Sequence, residues 1–194
     1  FWYGLFNWFW FRLWKEQPLR ESLSLLYREL ADYCEAKYTL LTQLSDPEKA
    51  LPPLLARQQK AVDLINTCYQ QMHMLAANRD HSHQRLTRAF QVALDLQEHI
   101  AVSLHQPEEV QKLVERSHAE AVIRWNAQTI AARLRELGDD MLYHRLPSRF
   151  SMEKPLLGLE KIARQHPENP VGHFCYYHFS RIARVLRTQR PLYR

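Results

Sequence analysis

Apolar residues recur along most of this chain at steps of three and four, the spacing of a helix with one face turned inward. Over residues 19–44, Leu23, Leu26, Tyr27, Leu30, Tyr33, Cys34, Leu40, Leu41 and Leu44 keep that spacing. Positions 23, 30, 37 and 44 form a seven-residue repeat broken only by Lys37. The pattern predicts a helix of about seven turns. A kink or restart is expected before it at Gln17-Pro18, because proline lacks an amide hydrogen and crowds the preceding turn. Ser45-Asp46-Pro47-Glu48 then reads as a stop followed by a cap, a first-turn proline and an acid. The next segment, with Pro52 and Pro53 in its first turn, runs to residue 78 with Leu51, Leu55, Val62, Ile65, Tyr69 and Met72 as its stripe and Gln58 as the polar intruder.

Residues 78–82 read as a polar loop, and residues 83–104 as a helix with Leu86, Phe90, Ala93, Leu94, Ile100 and Leu104 inward. His105-Gln106-Pro107-Glu108-Glu109 repeats the start grammar and opens the longest expected segment, residues 107–143, with Val110, Val114, Ala121, Trp125 and Ala132 inward and a break near Gly138. Ser151 is the expected cap of a short helix ending at residue 165, weakened by Pro155 and Gly158. Asn169-Pro170 opens the last helix, to residue 189. No segment alternates with period two, and no Asn-Gly or Asp-Gly hairpin turn occurs. The expected fold is all-α: an elongated antiparallel bundle of six to seven helices, with the end of a membrane helix at its start.

That membrane expectation rests on residues 1–15, FWYGLFNWFWFRLWK. Nine of the first fourteen residues are aromatic, and four of the five tryptophans lie among them. Trp and Tyr gather at membrane–water boundaries, and Arg12 and Lys15 follow as a cytoplasmic flank would. Trp2, Trp8, Trp10, Arg12, Trp14 and Lys15 are the candidate membrane-interface residues. The apolar run covers residues 1–11, whereas a spanning helix needs roughly 20. It is the stub of a longer helix, an interfacial helix lying flat, or a soluble core helix. Residues 16–194 form the expected cytoplasmic helical domain.

Composition narrows the function classes. Four glycines are too few for a many-turned β protein or a glycine-rich phosphate loop. Three widely spaced cysteines, Cys34, Cys68 and Cys175, suggest buried thiols in a reducing compartment rather than a disulfide framework. No basic n-region or small-residue cleavage site marks a signal peptide. The net charge of +5 permits contact with an anionic surface without requiring it.

The last fourteen residues carry Arg181, Arg184, Arg187, Arg190 and Arg194 without an acid. This is a solvated helix face or an anionic-lipid contact, with Arg181, Arg184, Arg187 and Arg190 as the lipid-facing candidates. A nucleic-acid interface would need aromatics interleaved with those arginines, and none is expected. Glu115-x-x-His118 has di-iron spacing but no second copy, and His173, Cys175 and His178 do not share a helical face, so no metal is expected. No cysteine has an identifiable base, and adjacent acids (Glu108-Glu109, Asp139-Asp140) point apart. No enzyme and no cofactor are expected. Lys37, Gln58 and Gln128, polar on or near apolar stripes, mark helix-pairing register or a subunit contact, or simply stripe-edge exposure.

The strings FWYGLFNWFWF, QPLRESLSLLYRELADYCEAKYTLL, ALPPLLARQQKAVDLI, ALDLQEHI, HQPEEVQKLVERSHAE and NPVGHFCYYHFSRIARVLRTQRPLY resemble the YhfK/YccS family of bacterial inner-membrane proteins, of the fusaric-acid-resistance-like superfamily. The resemblance spans the whole chain. It implies a domain lying on the cytoplasmic side between two membrane halves of one protein, in a superfamily that includes proteins implicated in efflux of aromatic carboxylic acids. It carries over no functional residue. The resulting expectation is a scaffold, gate-coupling or oligomerisation element of an inner-membrane efflux transporter. The alternatives are a bundle that senses a small anion and a membrane-attached adaptor. Expected partners are membrane lipid, further copies of the chain and the transmembrane halves.

Overall fold

The computed structural model describes residues 2–43, 47–75, 81–102, 107–117, 119–143, 145 and 148–188, with the side chains of residues 5–14 and a few others near helix ends outside that description. Seven helices and no strand occur among the described residues, an all-α bundle as the periodicity requires. They are α1 (Trp2–Gln43), α2 (Pro47–Leu75), α3 (His81–Ala101), α4 (Pro107–Arg116), α5 (Ala119–Leu142), α6 (Glu153–Gln165) and α7 (Pro170–Thr188). The long α1 is the central post, touching α2, α3, α4 and α5, while α6 and α7 pair with each other and lean on α5 and α3.

The expected restart at Gln17-Pro18 is absent, and α1 runs through Pro18 without interruption. Two i to i+4 links straddle the proline: Arg20 Nη2 donates to Glu16 Oε2 at 3.0 Å, and Gln17 Nε2 to Glu21 Oε1 at 3.0 Å. Burial of Leu19 and Leu23 begins directly after it, so the turn is held from both sides. No described helix is long and apolar enough to cross a membrane.

Segment 107–143 is two helices, α4 and α5, divided at Ser117; the longest helix is α1. Its predicted inward face is corrected as well. Ala121, Trp125 and Ala132 are exposed. The buried face of α5 is Ile123, Asn126, Ala127, Ile130, Ala131, Leu134, Leu137, Gly138 and Met141. Leu94 of α3 is likewise 37% exposed, and Leu44 and Leu104 lie outside the described residues. Gly138 does not break α5. A Cβ there would stand 3.0 Å from the Ser24 carbonyl oxygen, so glycine is what lets α5 cross α1 closely. Gly158 similarly lets α6 approach Val122.

Asn169 caps α7 as expected, its Oδ1 accepting from the Val171 amide at 2.9 Å, and its Nδ2 also donates to the Glu109 carbonyl of α4 at 3.1 Å. Ser151 is not the cap of α6: Met152 holds the cap position without a side-chain cap bond, and Ser151, one residue earlier, accepts only a long bond from the Glu153 amide at 3.4 Å. Buried Asn126 joins α5 to α6, donating to the Pro155 carbonyl at 2.9 Å. Tyr27 Oη, fully buried, donates to the Ala89 carbonyl at 2.9 Å and joins α1 to α3.

Candidate functional sites

Three places carry more than ordinary packing. The first is a ladder of acids on α1. Glu29, Asp32 and Glu35 are three residues apart, so they line neighbouring positions on one side of the helix. From α2, Lys60 Nζ meets Glu29 Oε2 at 2.6 Å, and Arg57 Nη1 reaches Glu29 and Asp32 at 3.3 Å each. From α5, Arg135 Nη2 meets Asp32 Oδ1 at 2.7 Å and also Glu35. Hydrogen bonds to Glu35 and Asp32 push the Arg135 guanidinium further up from its usual range. Glu29 is buried, at 4% exposure, and therefore depends on its two cations.

Beside this ladder lies an open groove of about 500 Å³ between α1, α2 and α5, which Asp32, Glu35, Arg57, Arg124 and Gln128 line. A second hollow of about 450 Å³ continues it past Glu120 and shares Arg124 and Gln128. Arg124 is paired with Glu120 at 3.2 Å, and Arg57 with the α1 acids. Three carboxylates against two guanidiniums leave the lining net negative, which does not suit an anion. Gln128 is exposed on the groove wall and Gln58 half-buried on α2.

The second place surrounds Lys37, whose expected stripe-edge exposure is overturned. It is buried, and its Nζ donates to the carbonyls of Ile100 and Val102. A cation thus closes the C-terminal end of α3, where unpaired carbonyls and the helix dipole favour positive charge. Around it stand Cys34, Tyr38, Cys175 and His178. Tyr38 packs on Phe179 with centroids 4.6 Å apart, and His178 stacks on Phe174 at 5.5 Å. Burial lowers Lys37 to about 8, partly countered by the two thiols. Burial also lowers His178 to about 4, with Lys37, His99 and Arg181 pushing the same way. Cys34, Cys68 and Cys175 are free, and burial pushes each thiol up to about 12, away from the thiolate a nucleophile requires.

The third is the outer side of α2. Its core contact is Ala61 and Cys68 with Leu54, Leu64 and Leu75 beside them, whereas the predicted stripe lies partly in solvent: Leu51, Leu55 and Tyr69 are about half exposed. Ile65 and Met72 of that stripe also pack against the core, so the predicted face is offset in phase from the buried one rather than opposite to it.

Among the predicted interface residues, Lys15 is exposed on α1, which also carries Trp2, Trp8, Trp10, Arg12 and Trp14, whose side chains lie outside the described residues. Arg181, Arg184 and Arg187 are exposed along α7, with Arg181 resting 5.7 Å from the centre of the Tyr177 ring; Arg190 lies outside the described residues. His118 of Glu115-x-x-His118 is also outside them, and no cluster of three or more His, Cys, Asp or Glu that could hold a metal occurs within them.

An all-α bundle with a basic, exposed C-terminal helix face and an aromatic first stretch fits one class on comparison with known proteins. Residues 1–193 match the family described as FUSC-like inner membrane protein yccS. The chain belongs to that family of inner-membrane proteins. A particular relative is the Uncharacterized protein YhfK of Escherichia coli, 81% identical over 192 residues, which are 99% of this chain and 27% of that protein. The chain therefore spans about a quarter of the length of the relative it matches. No solved structure matches it.

Proposed function

We propose that this chain is a cytoplasmic helical domain of an inner-membrane efflux transporter, serving as scaffold and gate-coupling element, with aromatic carboxylic acids as the substrate class. The observation that carries the reading is the continuity of α1. One helix leads from the aromatic stretch, through Lys15 and Pro18, into the buried Leu19–Leu23–Leu30 seam at the centre of the bundle. A rigid helix fixed at one end to α2 and α5 by ion pairs transmits displacement along its length rather than absorbing it in a loop. Membership of an inner-membrane family supports the membrane attachment, and Arg12, Lys15 and the α7 arginines suit a cytoplasmic face with anionic lipid.

The test uses the full-length protein in cells, with export of radiolabelled aromatic carboxylic acids as the readout. Gln17→Gly with Glu21→Gly removes one of the two links across Pro18 and adds two flexible positions. Coupling through α1 predicts export at least about tenfold slower while the bundle keeps its helical circular dichroism. Unchanged export in the variant would remove the coupling role, and no export by the unmodified protein would remove the substrate class. Sidedness is read with Lys161→Cys, on an exposed position of α6. A membrane-impermeant maleimide is expected to label it only after the inner membrane is opened.

A further inference from the structure

We infer that the outer face of α2 is a surface for self-association, its occupant being α2 of a second copy of this chain. Leu51, Leu55, Gln58, Val62, Ile65, Tyr69 and Met72 alternate steps of four and three over three heptads, the spacing of a helix-pairing seam. Only part of that seam is used within the chain: Ile65 and Met72 lean on the core, while Leu51, Leu55 and Tyr69 stand about half in solvent.

The charge pattern selects the occupant. Between residues 51 and 75, α2 has three charged side chains, Arg57, Lys60 and Asp63. Arg57 and Lys60 are turned to the acids of α1. At about 100° per residue, Pro52, Gln59, Asn66 and His73 flank the seam on its free side, and none is a fixed charge. Asp63 lies beyond them and accepts from Gln59 Nε2 at 3.0 Å. Depletion of charge with leucine, tyrosine and methionine retained is the composition of an interface core rather than of a solvated face. An anionic membrane finds no cation here, and a charged partner finds no complement. A copy of the same neutral strip meets its equal without like-charge repulsion, although the chain as a whole carries +5.

The strip is about 32 Å long and roughly 10 Å wide, less than the approximately 800 Å² per partner of a stand-alone complex. The association therefore belongs to chains confined to one membrane, where effective concentration is high.

The test is oxidative cross-linking of the full-length protein in native membranes with copper phenanthroline. Each variant carries one introduced cysteine: Leu55→Cys or Gln58→Cys on the seam, and Lys154→Cys on exposed α6 as control. The three thiols of this chain are buried, and the full-length protein without an introduced cysteine sets the cross-linking background. The expected result is a disulfide-linked homodimer from both seam variants, at least tenfold more abundant than from the control. Leu55→Lys combined with Tyr69→Lys, both on half-exposed side chains and so compatible with folding, is expected to cut the disulfide-linked dimer formed by Gln58→Cys in native membranes at least tenfold. Equal cross-linking at the control, products containing only a different protein, or Gln58→Cys cross-linking in membranes untouched by the double lysine variant would each overturn the proposal.

Discussion

Lys37 and His178 show how burial sets the behaviour of single groups in this bundle. A lysine that falls from its ordinary 10.5 to about 8 inside the fold holds no proton between those values while the unfolded chain still binds one. Unfolding then takes up a proton, so this group's contribution to stability rises with pH across that window, by about 3 kcal/mol in full. The three thiols have the opposite sign: raised from 9.0 to about 12, they lower stability as pH climbs through 9. Subtraction separates the two effects. The difference in unfolding free energy between the unmodified chain and Lys37→Met should grow in favour of lysine from pH 8 to 10.5, in urea titrations at fixed ionic strength. A flat difference would mean that Lys37 keeps its ordinary affinity for protons. His178 acts on the acid side. With its folded value lowered to about 4, its neutral form favours the fold above 6.5, and that contribution is lost as pH falls toward 4. His178→Phe, which keeps a ring against Phe174, should flatten the stability loss between pH 6.5 and 4 by up to about 3 kcal/mol.

At the level of helices, glycine carried a meaning that its position in the sequence did not reveal. Read along the chain, Gly138 and Gly158 weaken helices; read in three dimensions, they sit at crossings. The two crossings differ in what an added methyl would meet. At Gly138 it is the Ser24 backbone oxygen at 3.0 Å, which moves only if α1 moves. At Gly158 it is Val122 Cγ1 at 2.9 Å, the end of a side chain that can yield. Alanine adds about 1 kcal/mol of helix propensity at either place. Gly138→Ala should therefore destabilise by about 1–2 kcal/mol net, overpacking outweighing propensity, while Gly158→Ala should lie within about 0.5 kcal/mol of neutral. Thermal melts of both variants decide it, and equal effects would remove the distinction. Helix starts marked by Pro47, Pro107 and Asn169-Pro170 were legible because capping is local chemistry. The path through Pro18 and the division at Ser117 were not, since a proline that a helix tolerates and a helix break without proline or glycine carry no local breaker signal that separates them from the opposite outcome.

Across the whole molecule, the acid ladder of α1 was hidden in plain composition. Glu29, Asp32 and Glu35 have a spacing visible in the sequence, but their cations come from residues 28 and 31 positions away on α2 and about 100 away on α5. Family kinship was legible because it needs only strings, whereas the free seam of α2 required knowing which of two faces α1 occupies. The ladder also bears on how the bundle resists deformation, because its carboxylates join α2, α1 and α5 through one set of charges. Removing both members of a buried ion pair is often mild, but leaving one unpaired is not. Glu29→Lys would place a third cation between Arg57 and Lys60 at a site 4% exposed. It should cost about 3–5 kcal/mol. Lys60→Glu alone should cost less, because Lys60 is largely exposed and Arg57 still reaches Glu29. The double variant restores one opposite-charge contact and should recover at least about 1 kcal/mol of the combined loss, read as a coupling energy in a double-mutant cycle by urea denaturation. Strict additivity of the two single variants would show that α1 and α2 are held by their apolar seam alone, and that the ion pairs ride on it without contributing.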